Sequence, residues 1–382
     1  MNKILIVFGT RPEAIKMAPV IKAFKNADDS FITKVCVTGQ HRELLDQVLK
    51  IFEIVPDYDL NVMKAGQDLY DISSSVLLGM RGVLNEFNPD LVFVHGDTTT
   101  SSMAALSSFY KQIKVAHVEA GLRTNNVYAP WPEEMNRQIT GRIATYHFAP
   151  TEIARTNLIN ENIPENRIYV TGNTVIDALK IIVAKIDQIP KVENEIIKAL
   201  DNFLPETVIN KKPYILITGH RRENFGKGFM NICEAILDLA VRNPEFHFIY
   251  PVHLNPNVQG PVNKLLGDQK NIHLLKPLEY LPFVYLMQHA YMVLTDSGGI
   301  QEEAPSLGKP VLVMRDTTER PEAVQAGTVR LVGTSKKRII ESVTNLITDQ
   351  SAYEDMSTAH NPYGDGKASI RILTAVKSML NS

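Results

Sequence analysis

The chain has 382 residues, of which 44% are hydrophobic and 21% are charged, and its formal net charge at pH 7 is -2. This length exceeds the usual size of one compact core and predicts two domains, and the composition is that of an ordinary globular protein. The nearly balanced charge gives no reason to expect a nucleic acid or an anionic membrane as partner. The two cysteines, Cys36 and Cys233, lie far apart in apolar segments, which indicates buried thiols in a reducing compartment.

The apolar runs of the chain are short. The first, 4–8, is interrupted at once by Gly9 and is too short for the core of a signal peptide. No other run approaches the roughly 20 apolar residues that a membrane-spanning helix needs. We therefore expect a cytoplasmic protein.

Runs rich in Val, Ile and Leu alternate with helical patterns along the chain, which is typical of parallel sheets covered by helices on both faces. The predicted strands are 3–8, 34–38, 91–95, 115–118, 146–148 and 168–170, followed by 214–218, 247–250, 272–275, 291–294, 311–314 and 329–332. The stretch 180–212 between the two sets is polar and contains several prolines, so it predicts the crossing between two domains. A helical pattern at 367–380 closes the chain. The sequence therefore predicts an α/β fold of two doubly wound units.

Ligands of open parallel sheets bind beyond the carboxyl ends of the strands, and the residues that follow the predicted strands are polar here. The polar segments are 9–13, 39–43, 96–100, 119–123, 219–224 and 251–255. After the first strand, Pro12 suits a first helical position, so Arg11 and Lys16 could reach a phosphate at that helix N-terminus. The alternative is that both are ordinary surface cations on a helix.

The segment 295–310 follows a predicted strand and begins a short helix that Gly308 would close. Its residues 296–299, Asp-Ser-Gly-Gly, predict free backbone N–H groups at a helix N-terminus, which is where a phosphate binds. Glu303, one turn later, could accept hydrogen bonds from two sugar hydroxyls. A diphosphate attached to a ribose would use both features, whereas the alternative is an ordinary strand-to-helix turn with a capping side chain.

Two common nucleotide signatures are absent from the sequence, since no Gly-x-Gly-x-x-Gly follows a strand and no Gly-Lys-Ser/Thr motif occurs. Dinucleotide redox chemistry and nucleotide hydrolysis therefore lose support. The pairs His95-x-Asp97 and His117-x-Glu119 raise a zinc hypothesis. We favour the alternative that these histidines bond to neighbouring loops, because each pair straddles a strand end.

A second pattern sets carboxylates in the first half of the chain against cations in the second half. The carboxylates are Asp97, Glu119 and Glu133, and the cations are His220 and Arg221, which accompany the segment 297–299. A cleft lined in this way would suit acid/base chemistry on a sugar whose leaving group is a diphosphate. Each carboxylate has the alternative role of a helix cap, Glu133 above all, because it falls in a first helical turn.

Six motifs, in this order, resemble the bacterial non-hydrolysing UDP-N-acetylglucosamine 2-epimerases over essentially the whole chain. They are FGTRPEAIKMAP (8–19), HGDTTT (95–100), HVEAGLR (117–123), PWPEE (130–134), TGHRRE (218–223) and TDSGGIQEE (295–303). The resemblance implies a glycosyltransferase-B-like architecture of two Rossmann-like domains with a deep cleft between them. It divides the chain into an N-terminal domain at 1–180, joined by a final helix at about 367–382, a linker at 181–212, and a UDP-binding domain at 213–366.

The resemblance also implies the reaction, which interconverts UDP-N-acetylglucosamine and UDP-N-acetylmannosamine without a cofactor or a metal, usually in a homodimer that serves surface polysaccharide synthesis. The C2 proton of the sugar is not next to a carbonyl, so direct deprotonation has a prohibitive barrier. Anti elimination of UDP to 2-acetamidoglucal, followed by re-addition, avoids that barrier. The resemblance leaves open which carboxylate acts on which face of C2.

By resemblance, residues of both halves have roles. The catalytic residues would be Asp97, Glu119, Glu133 and His220. The diphosphate would be held by Arg11, Ser297, Gly298 and Gly299, assisted by Arg320. The ribose would be bound by Glu303, and Lys16 would lie in the sugar or phosphate region. Phe283 would lie beside the uracil, with core packing as the alternative role. A regulatory site for UDP-N-acetylglucosamine would use Gln40, Glu43, Glu133, Arg221 and His253. Gly66 stands where activated relatives carry an arginine, which weakens the expectation of regulation.

Three other functions stay open at this stage. A retaining glycosyltransferase of the same fold would share the segment 297–303 but would need an acceptor groove. A hydrolysing epimerase would release free N-acetylmannosamine. A nucleotide-sugar sensor would bind without turnover. The three carboxylates favour the epimerase, because sugar transfer does not require several proton-transfer groups on the sugar side.

Overall fold

The structure is a computed structural model that describes residues 1–39, 42–64, 66–201, 203–205, 208 and 213–381, apart from the side chains of Glu43 and Asn381. The chain forms two compact units. Unit 1 comprises Met1–Ala178 and Tyr363–Ser382, and unit 2 comprises Leu179–Pro362. The final segment of the chain thus belongs to the same unit as its beginning.

Each unit contains one parallel sheet. In unit 1 the strands are β1 (Asn2–Phe8), β2 (Phe31–Val37), β3 (Tyr58–Asp59), β4 (Leu91–His95), β5 (Lys114–Val118), β6 (Tyr146–Ala149) and β7 (Ile168–Val170), in the order β3-β2-β1-β4-β5-β6-β7. In unit 2 they are β8 (Tyr214–Thr218), β9 (His247–Pro251), β10 (Ile272–Leu275), β11 (Met292–Thr295), β12 (Val311–Val313) and β13 (Val329–Leu331), in the order β10-β9-β8-β11-β12-β13.

Helices connect the strands, as parallel pairing requires. They are α1 (Arg11–Lys25), α2 (Arg42–Ile51), α3 (Leu69–Phe87), α4 (Thr99–Tyr110), α5 (Glu133–Ile143), α6 (Glu152–Asn160), α7 (Thr174–Gln188), α8 (Pro190–Asp201), α9 (Lys227–Arg242), α10 (Pro256–Leu266), α11 (Tyr280–His289), α12 (Gly298–Glu303), α13 (Pro321–Gln325), α14 (Lys336–Thr348), α15 (Gln350–Ser357) and α16 (Ala368–Asn381). Short 3-10 turns occur at Glu165–Arg167, Arg222–Asn224 and Ala304–Leu307. Among the described residues, no helix is both long enough and apolar enough to cross a membrane.

The predicted strands are all present, with ends displaced by three residues or fewer, and the predicted α/β class is confirmed. Strand β3 was not predicted, because its two residues, Tyr58 and Asp59, are too few to show the alternation of apolar and polar residues that indicates a strand. Helix α8 and the end of α7 occupy much of the stretch predicted as a linker, since its prolines do not prevent these helices. Pro190 is the first residue of α8, a position that proline tolerates.

The central strands are apolar on both faces because helices cover both. Residues 4–8 of β1 are all buried, and so is all of β4. Phe93 of β4 lies between the rings of Phe24 and Phe148, at centroid distances of 5.2 Å and 6.1 Å. Unit 2 has its own core around β8, β9 and the apolar face of α9. Each sheet is therefore supported by buried apolar residues of its own unit.

In each unit, the strand order reverses at one point of the sheet. Strands β2 and β4 flank β1 on opposite sides, and strands β9 and β11 flank β8 in the same way. In such sheets a crevice opens at the carboxyl ends of the two strands where the order reverses. The loops after β1 and β4, and those after β8 and β11, therefore lie at the position where α/β proteins bind ligands.

Candidate active site

In unit 1, the buried carboxylate of Glu13 joins the loops that follow β1 and β4. Its Oε2 accepts hydrogen bonds from the backbone N–H groups of Gly9 (3.0 Å) and Thr10 (2.8 Å) and from the Thr10 hydroxyl (2.9 Å). Its Oε1 accepts from the hydroxyls of Thr98 (2.6 Å) and Ser101 (3.0 Å). Burial raises the pKa of Glu13, while these donors act in the opposite direction. One side chain thus fixes both sides of the crevice, and the same two loops carry Arg11 and Asp97.

Glu119 lies directly after β5 and gathers polar groups from three other segments. Its Oε2 accepts hydrogen bonds from Lys16 Nζ of α1 and from Asn173 Nδ2 (2.8 Å). His95 Nε2, at the end of β4, is 3.8 Å from the same oxygen. Burial lowers the pKa of His95 to about 4, so this imidazole is neutral at pH 7. Two of the predicted site residues, Lys16 and Glu119, are therefore in direct contact.

The backbone of Glu119 has a φ of +61°, in the left-handed region that residues other than glycine seldom adopt. Such conformations cost free energy and concentrate at functional sites. The neighbouring loop also approaches closely, since a Cβ atom built on Gly96 would lie 3.7 Å from Glu119 Oε1. The structure thus brings the loop that carries Asp97 against the Glu119 carboxylate.

Asp97 belongs to a charged chain that leads into α5. Its Oδ2 accepts a hydrogen bond from Arg137 Nη2 (2.6 Å), and Arg137 Nη1 donates to Glu134 Oε2 (3.0 Å). The Glu134 oxygens also accept from the backbone N–H groups of Thr124 (3.1 Å) and Asn125 (3.2 Å). Burial alone would raise the pKa of Glu134, but the Thr124 amide and the Arg137 guanidinium hold this pKa below its ordinary value.

Sequence reasoning missed Glu134 and Arg137 as site residues. Their spacing of three residues at the start of a helix was the available signal, because it places an acid and a base on one face. Glu133, the predicted catalytic residue, is the first residue of α5 and is half-buried, and it is Glu134 that makes the buried contacts. Glu133 lies in the first helical turn, as predicted, and its catalytic role stays a prediction.

The histidines of the zinc hypothesis have other surroundings. His117 is buried, and its Nε2 lies 2.7 Å from the carbonyl oxygen of Gly96. Burial lowers the pKa of His117 to about 3, and burial likewise lowers that of the neighbouring His147 to about 4. In the part of the chain that the structure describes, no group of three or more His, Cys, Asp or Glu side chains is arranged to hold a metal ion.

These neutral histidines predict a loss of stability in mild acid. His95, His117 and His147 have folded-state pKa values below the unfolded value of 6.5, so the unfolded chain binds protons that the native state excludes. We expect the free energy of unfolding to fall between about pH 6.5 and 4, by up to about 1.4 kcal/mol per pH unit for each histidine. The raised pKa of Glu13 acts in the opposite sense, whereas the lowered pKa values of His220 and His273 act in the same sense as those of the three histidines.

Urea unfolding at pH 7.5, 6.0 and 5.0 measures this dependence. The variant His147→Gln removes one of the titrating groups, so its unfolding free energy should depend less steeply on pH than that of the wild type. An unfolding free energy that stays constant between pH 7.5 and 5.0 would contradict the neutral buried state of these side chains.

In unit 2, the buried carboxylate of Asp296 joins the loops that follow β8 and β11. Its Oδ2 accepts hydrogen bonds from the backbone N–H groups of His220 and Arg221, both at 2.8 Å. Its Oδ1 is 3.5 Å from His220 Nδ1, and the His220 ring stacks on His253 at a centroid distance of 5.2 Å. Partial burial lowers the pKa of His220; the Asp296 carboxylate opposes this shift, while His253 and Arg221 reinforce it.

The segment predicted to offer four free backbone N–H groups offers fewer. The Asp296 N–H donates to the Thr218 carbonyl (3.1 Å), and the Ser297 N–H donates to Thr295 Oγ1 (2.9 Å). The prediction was therefore wrong for these two amides: the Asp296 amide extends the pairing of β11 with β8, and the Ser297 amide is bonded to the nearby Thr295 hydroxyl. Gly298 and Gly299, the first two residues of α12, remain as the amides at the helix N-terminus. Gly308 ends the segment in the left-handed conformation, as predicted.

Arg320 packs directly against Gly298. A Cβ atom on Gly298 would lie 3.0 Å from both Cζ and Nη1 of Arg320, so a larger residue here would displace the guanidinium. Arg320 Nε donates to Glu302 Oε1 (2.8 Å), and its Nη1 is 2.9 Å from Glu319 Oε1. The predicted phosphate residues Gly298 and Arg320 are thus neighbours, and two carboxylates hold the arginine in place.

Glu319 is the centre of an arginine cluster at this end of unit 2. Besides Arg320, it binds Arg315 Nη1 (2.7 Å) through Oε2 and lies 3.4 Å from Arg221 Nη2. Burial would raise the pKa of Glu319, but Arg320 and Arg315 lower it to about 2. The sequence did not reveal Glu319 or Arg315, because this cluster joins loops after β8 and β12 that are distant in the chain.

Glu303 is bonded to Tyr280 of α11, the helix that also carries Phe283. The Tyr280 hydroxyl donates to Glu303 Oε1 (2.7 Å), and Glu303 Oε2 is 3.8 Å from the Cβ position of Gly299. Phe283 is half-buried and follows Tyr280 by three residues on α11, so the two side chains share a helix face. The carboxylate predicted for the ribose thus lies beside the glycines predicted for the diphosphate.

The residues predicted for regulation are placed only in part. Gln40 lies outside the described residues, and of Glu43 the structure describes only its place in α2. Arg221 belongs to the arginine cluster of unit 2, and His253 stacks on His220. Gly66 is an exposed turn residue of unit 1, and Arg11 is the half-buried first residue of α1.

Comparison with known proteins extends these observations. The sequence model of the family described as UDP-N-acetylglucosamine 2-epimerase matches residues 23–377. The UDP-N-acetylglucosamine 2-epimerase of Escherichia coli K12 is 59% identical over 376 residues, which cover 98% of each chain.

Two solved structures resemble the chain over nearly all of its length. The crystal structure of UDP-GlcNAc 2-epimerase from Neisseria meningitidis bound to UDP-GlcNAc has a TM-score of 0.90 and 53% identity and covers 100% of both chains. That of the Methanocaldococcus jannaschii UDP-GlcNAc 2-epimerase in complex with UDP-GlcNAc and UDP has a TM-score of 0.79 and 35% identity and covers 98% of this chain and 99% of its own.

The glycosyltransferase-B-like class of two Rossmann-like domains is confirmed by these structures and by the two parallel sheets. The resemblance inferred from the six motifs is confirmed as well. The chain belongs to the UDP-N-acetylglucosamine 2-epimerase family, whose members are isomerases.

Proposed function

We propose that this protein interconverts UDP-N-acetylglucosamine and UDP-N-acetylmannosamine by inverting C2 of the sugar. The observation that carries the proposal is the environment of Glu119, a carboxylate on a left-handed backbone that contacts Lys16 at the ligand-binding edge of unit 1. The family match and the relatives that are named for this activity support the same function.

The proposed chemistry proceeds in two steps. A base removes the C2 proton while the C1–O bond breaks on the opposite face, the electron pair of the C–H bond becomes the C1–C2 double bond, and the diphosphate departs as an anion. The intermediates are 2-acetamidoglucal and UDP. In the second step UDP adds back to C1 while a proton reaches the other face of C2. The second step restores one C–H bond at C2 and the C1–O bond, so no oxidant or reductant is consumed.

Unit 1 supplies the acid/base groups in this proposal. Asp97, Glu119 and Glu133 are carboxylates that could move protons to and from C2 or stabilise positive charge on the ring. Asp97 accepts a hydrogen bond from Arg137 and Glu119 accepts one from Lys16, so a cation lies beside each of these two carboxylates. A base at C2 must be ionised before it can accept a proton.

Unit 2 binds the nucleotide in this proposal. As the diphosphate leaves, negative charge develops on it, and fixed cations and amide dipoles lower the energy of that state. Arg320, Gly298 and Gly299 would face the diphosphate, while Glu303 would accept hydrogen bonds from the ribose. His220, held by Asp296, would act beside the diphosphate. Arg11 of unit 1 would contact the same group, and Phe283 would lie by the uracil.

Three finer features of the family remain proposals for this chain: a homodimer, a role in surface polysaccharide synthesis, and activation by UDP-N-acetylglucosamine at a second site. One contact bears on the last of these. Because His253 stacks on His220, a ligand that touched His253 would also affect the His220 ring. Hyperbolic turnover of UDP-N-acetylmannosamine, unchanged by a trace of UDP-N-acetylglucosamine, would argue against activation.

Proton NMR in deuterium oxide tests the proposed reaction. We expect the purified protein, given UDP-N-acetylglucosamine alone, to produce UDP-N-acetylmannosamine and to place deuterium at C2 of both sugars, because the proton exchanges with solvent in the glucal intermediate. Little free sugar should accumulate.

Each other outcome points to one of the alternatives. Accumulation of free N-acetylmannosamine would identify a hydrolysing epimerase. An unchanged C2 signal would overturn the proposal, and turnover that then begins on addition of a sugar acceptor would identify a glycosyltransferase. Binding of UDP without any turnover would identify a sensor.

A further inference from the structure

Asn173 occupies the short connection between β7 and α7 and is buried. Its side chain is hydrogen-bonded in two different directions. The amide oxygen Oδ1 accepts from the backbone N–H of Val175 (3.1 Å), and the amide nitrogen Nδ2 donates to Glu119 Oε2 (2.8 Å). One asparagine therefore connects the start of a helix to a carboxylate that is distant in the sequence.

The two bonds determine the orientation of the amide group. An asparagine side chain has one accepting end and one donating end, and the Val175 N–H can only donate. The oxygen must therefore face Val175, which directs the NH₂ group towards Glu119. The helix start thus presents a donor to Glu119 in one fixed direction.

The backbone of Asn173 is held by the returning end of the chain. Its N–H donates to the carbonyl of Tyr363 (2.7 Å), and Gly172 has a φ of +87° with its Cβ position only 3.3 Å from the same carbonyl oxygen. Asp177 accepts hydrogen bonds from the N–H groups of Ala368 (3.1 Å) and Ser369 (2.8 Å). The C-terminal segment is therefore bonded on both sides of the loop that carries Asn173.

The other groups that face Glu119 come from different elements. Lys16 of α1 donates to the same oxygen, Oε2, as Asn173 does. His95, at the end of β4, is neutral at pH 7 because burial lowers its pKa to about 4. Lys16 places a positive charge beside the carboxylate at the end of a long, flexible side chain, whereas Asn173 donates its hydrogen bond from a fixed backbone and so in a fixed direction. An acid/base group needs both, since its rate contribution depends on the position of the carboxylate and on its protonation state.

We propose that Asn173 is a positioning residue for catalysis: its amide nitrogen orients the Glu119 carboxylate towards the substrate and stabilises its ionised form. The proposal rests on the proposed function, in which Glu119 exchanges protons with the sugar. It also gives the return of the C-terminal segment to unit 1 a catalytic consequence, because that segment fixes the backbone of Asn173.

The variant Asn173→Asp tests the donor. Aspartate has the same shape and keeps an acceptor for the Val175 N–H, but it replaces the NH₂ group with an oxygen that repels Glu119. We expect kcat to fall by about tenfold or more. In the pH profile of kcat, the acid limb should move to higher pH by about one unit, because a nearby like charge raises the pKa of a carboxyl. KM for UDP-N-acetylglucosamine should change by less than about threefold, since Asn173 is not among the proposed nucleotide contacts.

A second variant separates the donor from the added charge. In Asn173→Ser the hydroxyl can still accept from the start of α7, but it is too short to reach Glu119. We expect kcat to fall in this variant with a smaller movement of the acid limb. A purely structural role for Asn173 would lower the unfolding temperature of both variants without moving the pH profile of either.

The matched control is Asn271→Asp in unit 2. The Asn271 amide nitrogen donates to the carbonyls of Ala240 and Phe246, both at 2.9 Å, so this change also removes a buried donor. It should lower stability and leave the pH profile unchanged. The inference would be overturned if kcat of Asn173→Asp were within about twofold of the wild-type value and the acid limb of its pH profile lay at the same pH.

A wild-type protein without turnover would instead overturn the proposed function. The titration of the Glu119 carboxyl, followed by carbon-13 NMR and assigned with Glu119→Gln, would then still measure the influence of Asn173. A titration midpoint that is the same in the wild type and in Asn173→Asp would overturn the inference independently of activity.

Discussion

Glu119→Gln is expected to lower kcat for epimerisation by about 10²- to 10⁴-fold, the usual contribution of a general acid or base. Glutamine preserves the shape of the side chain and can still accept from Lys16 or Asn173, but it cannot take up a proton from C2. Since Glu119 is not among the proposed nucleotide contacts, the affinity for UDP should change by less than about threefold. Steady-state kinetics and UDP titration calorimetry measure the two quantities.

The control for Glu119→Gln is Glu161→Gln in the same unit. Glu161 binds Arg123 through both oxygens, at 2.6 Å and 2.8 Å, so the change also neutralises a carboxylate that is paired with a cation. Its kcat should stay within about threefold of the wild type, because no proton transfer is assigned to it. A Glu119→Gln protein that retains more than a tenth of the wild-type kcat would remove Glu119 from the acid/base role and would leave Asp97 and Glu133 as the candidates.

Glu13→Ala is expected to lower the free energy of unfolding by about 2 to 5 kcal/mol, because each buried donor that loses its acceptor costs roughly 1 to 3 kcal/mol. The change removes the acceptor of two backbone N–H groups, those of Gly9 and Thr10, and of the hydroxyls of Thr98 and Ser101. Activity should fall as well, since the loops that lose their connection carry Arg11 and Asp97. Urea unfolding and kinetics at one temperature measure both effects.

Two variants show whether the hydrogen bonds are responsible. In Glu13→Gln the amide oxygen can face the two backbone N–H groups while the NH₂ group faces hydroxyls, which can rotate to accept. This variant should therefore be more stable than Glu13→Ala. Glu152→Ala removes an exposed glutamate from the first turn of α6 and should change stability by no more than about 0.5 kcal/mol. Equal stabilities of Glu13→Ala and Glu152→Ala would show that the loops do not depend on the carboxylate.

Local patterns of the sequence were sufficient to predict the sheets and the edge at which the site lies. Runs such as 91–95 and 214–218, which are mostly apolar and end in a polar residue, coincide with β4 and β8, because a strand buried on both faces disfavours polar residues in its interior. The polar residues that follow these strands, among them Asp97, Glu119 and His220, then fall at the carboxyl edges by geometry alone. Strand β3 was missed because two residues show no period.

Local sequence patterns could not predict which residues of the site contact one another. Asp97 binds Arg137, Glu119 binds Asn173, and Arg320 lies against Gly298, and each pair joins segments that only the strand order brings together. The amide of Asp296, which the sequence predicted to be free, is likewise bonded by the fold to Thr218 of β8, whereas the amide of Ser297 is bonded locally to the Thr295 hydroxyl.

The residue types and their order along the chain therefore established the fold class, the family and most of the candidate catalytic residues, because hydrophobic periodicity and motif spacing are properties of neighbouring residues. The hydrogen-bond partners, the neutral state of the buried histidines and the role inferred for Asn173 required the tertiary structure. Burial and contact distance depend on which segments meet, and in a parallel sheet the segments that meet are far apart in sequence.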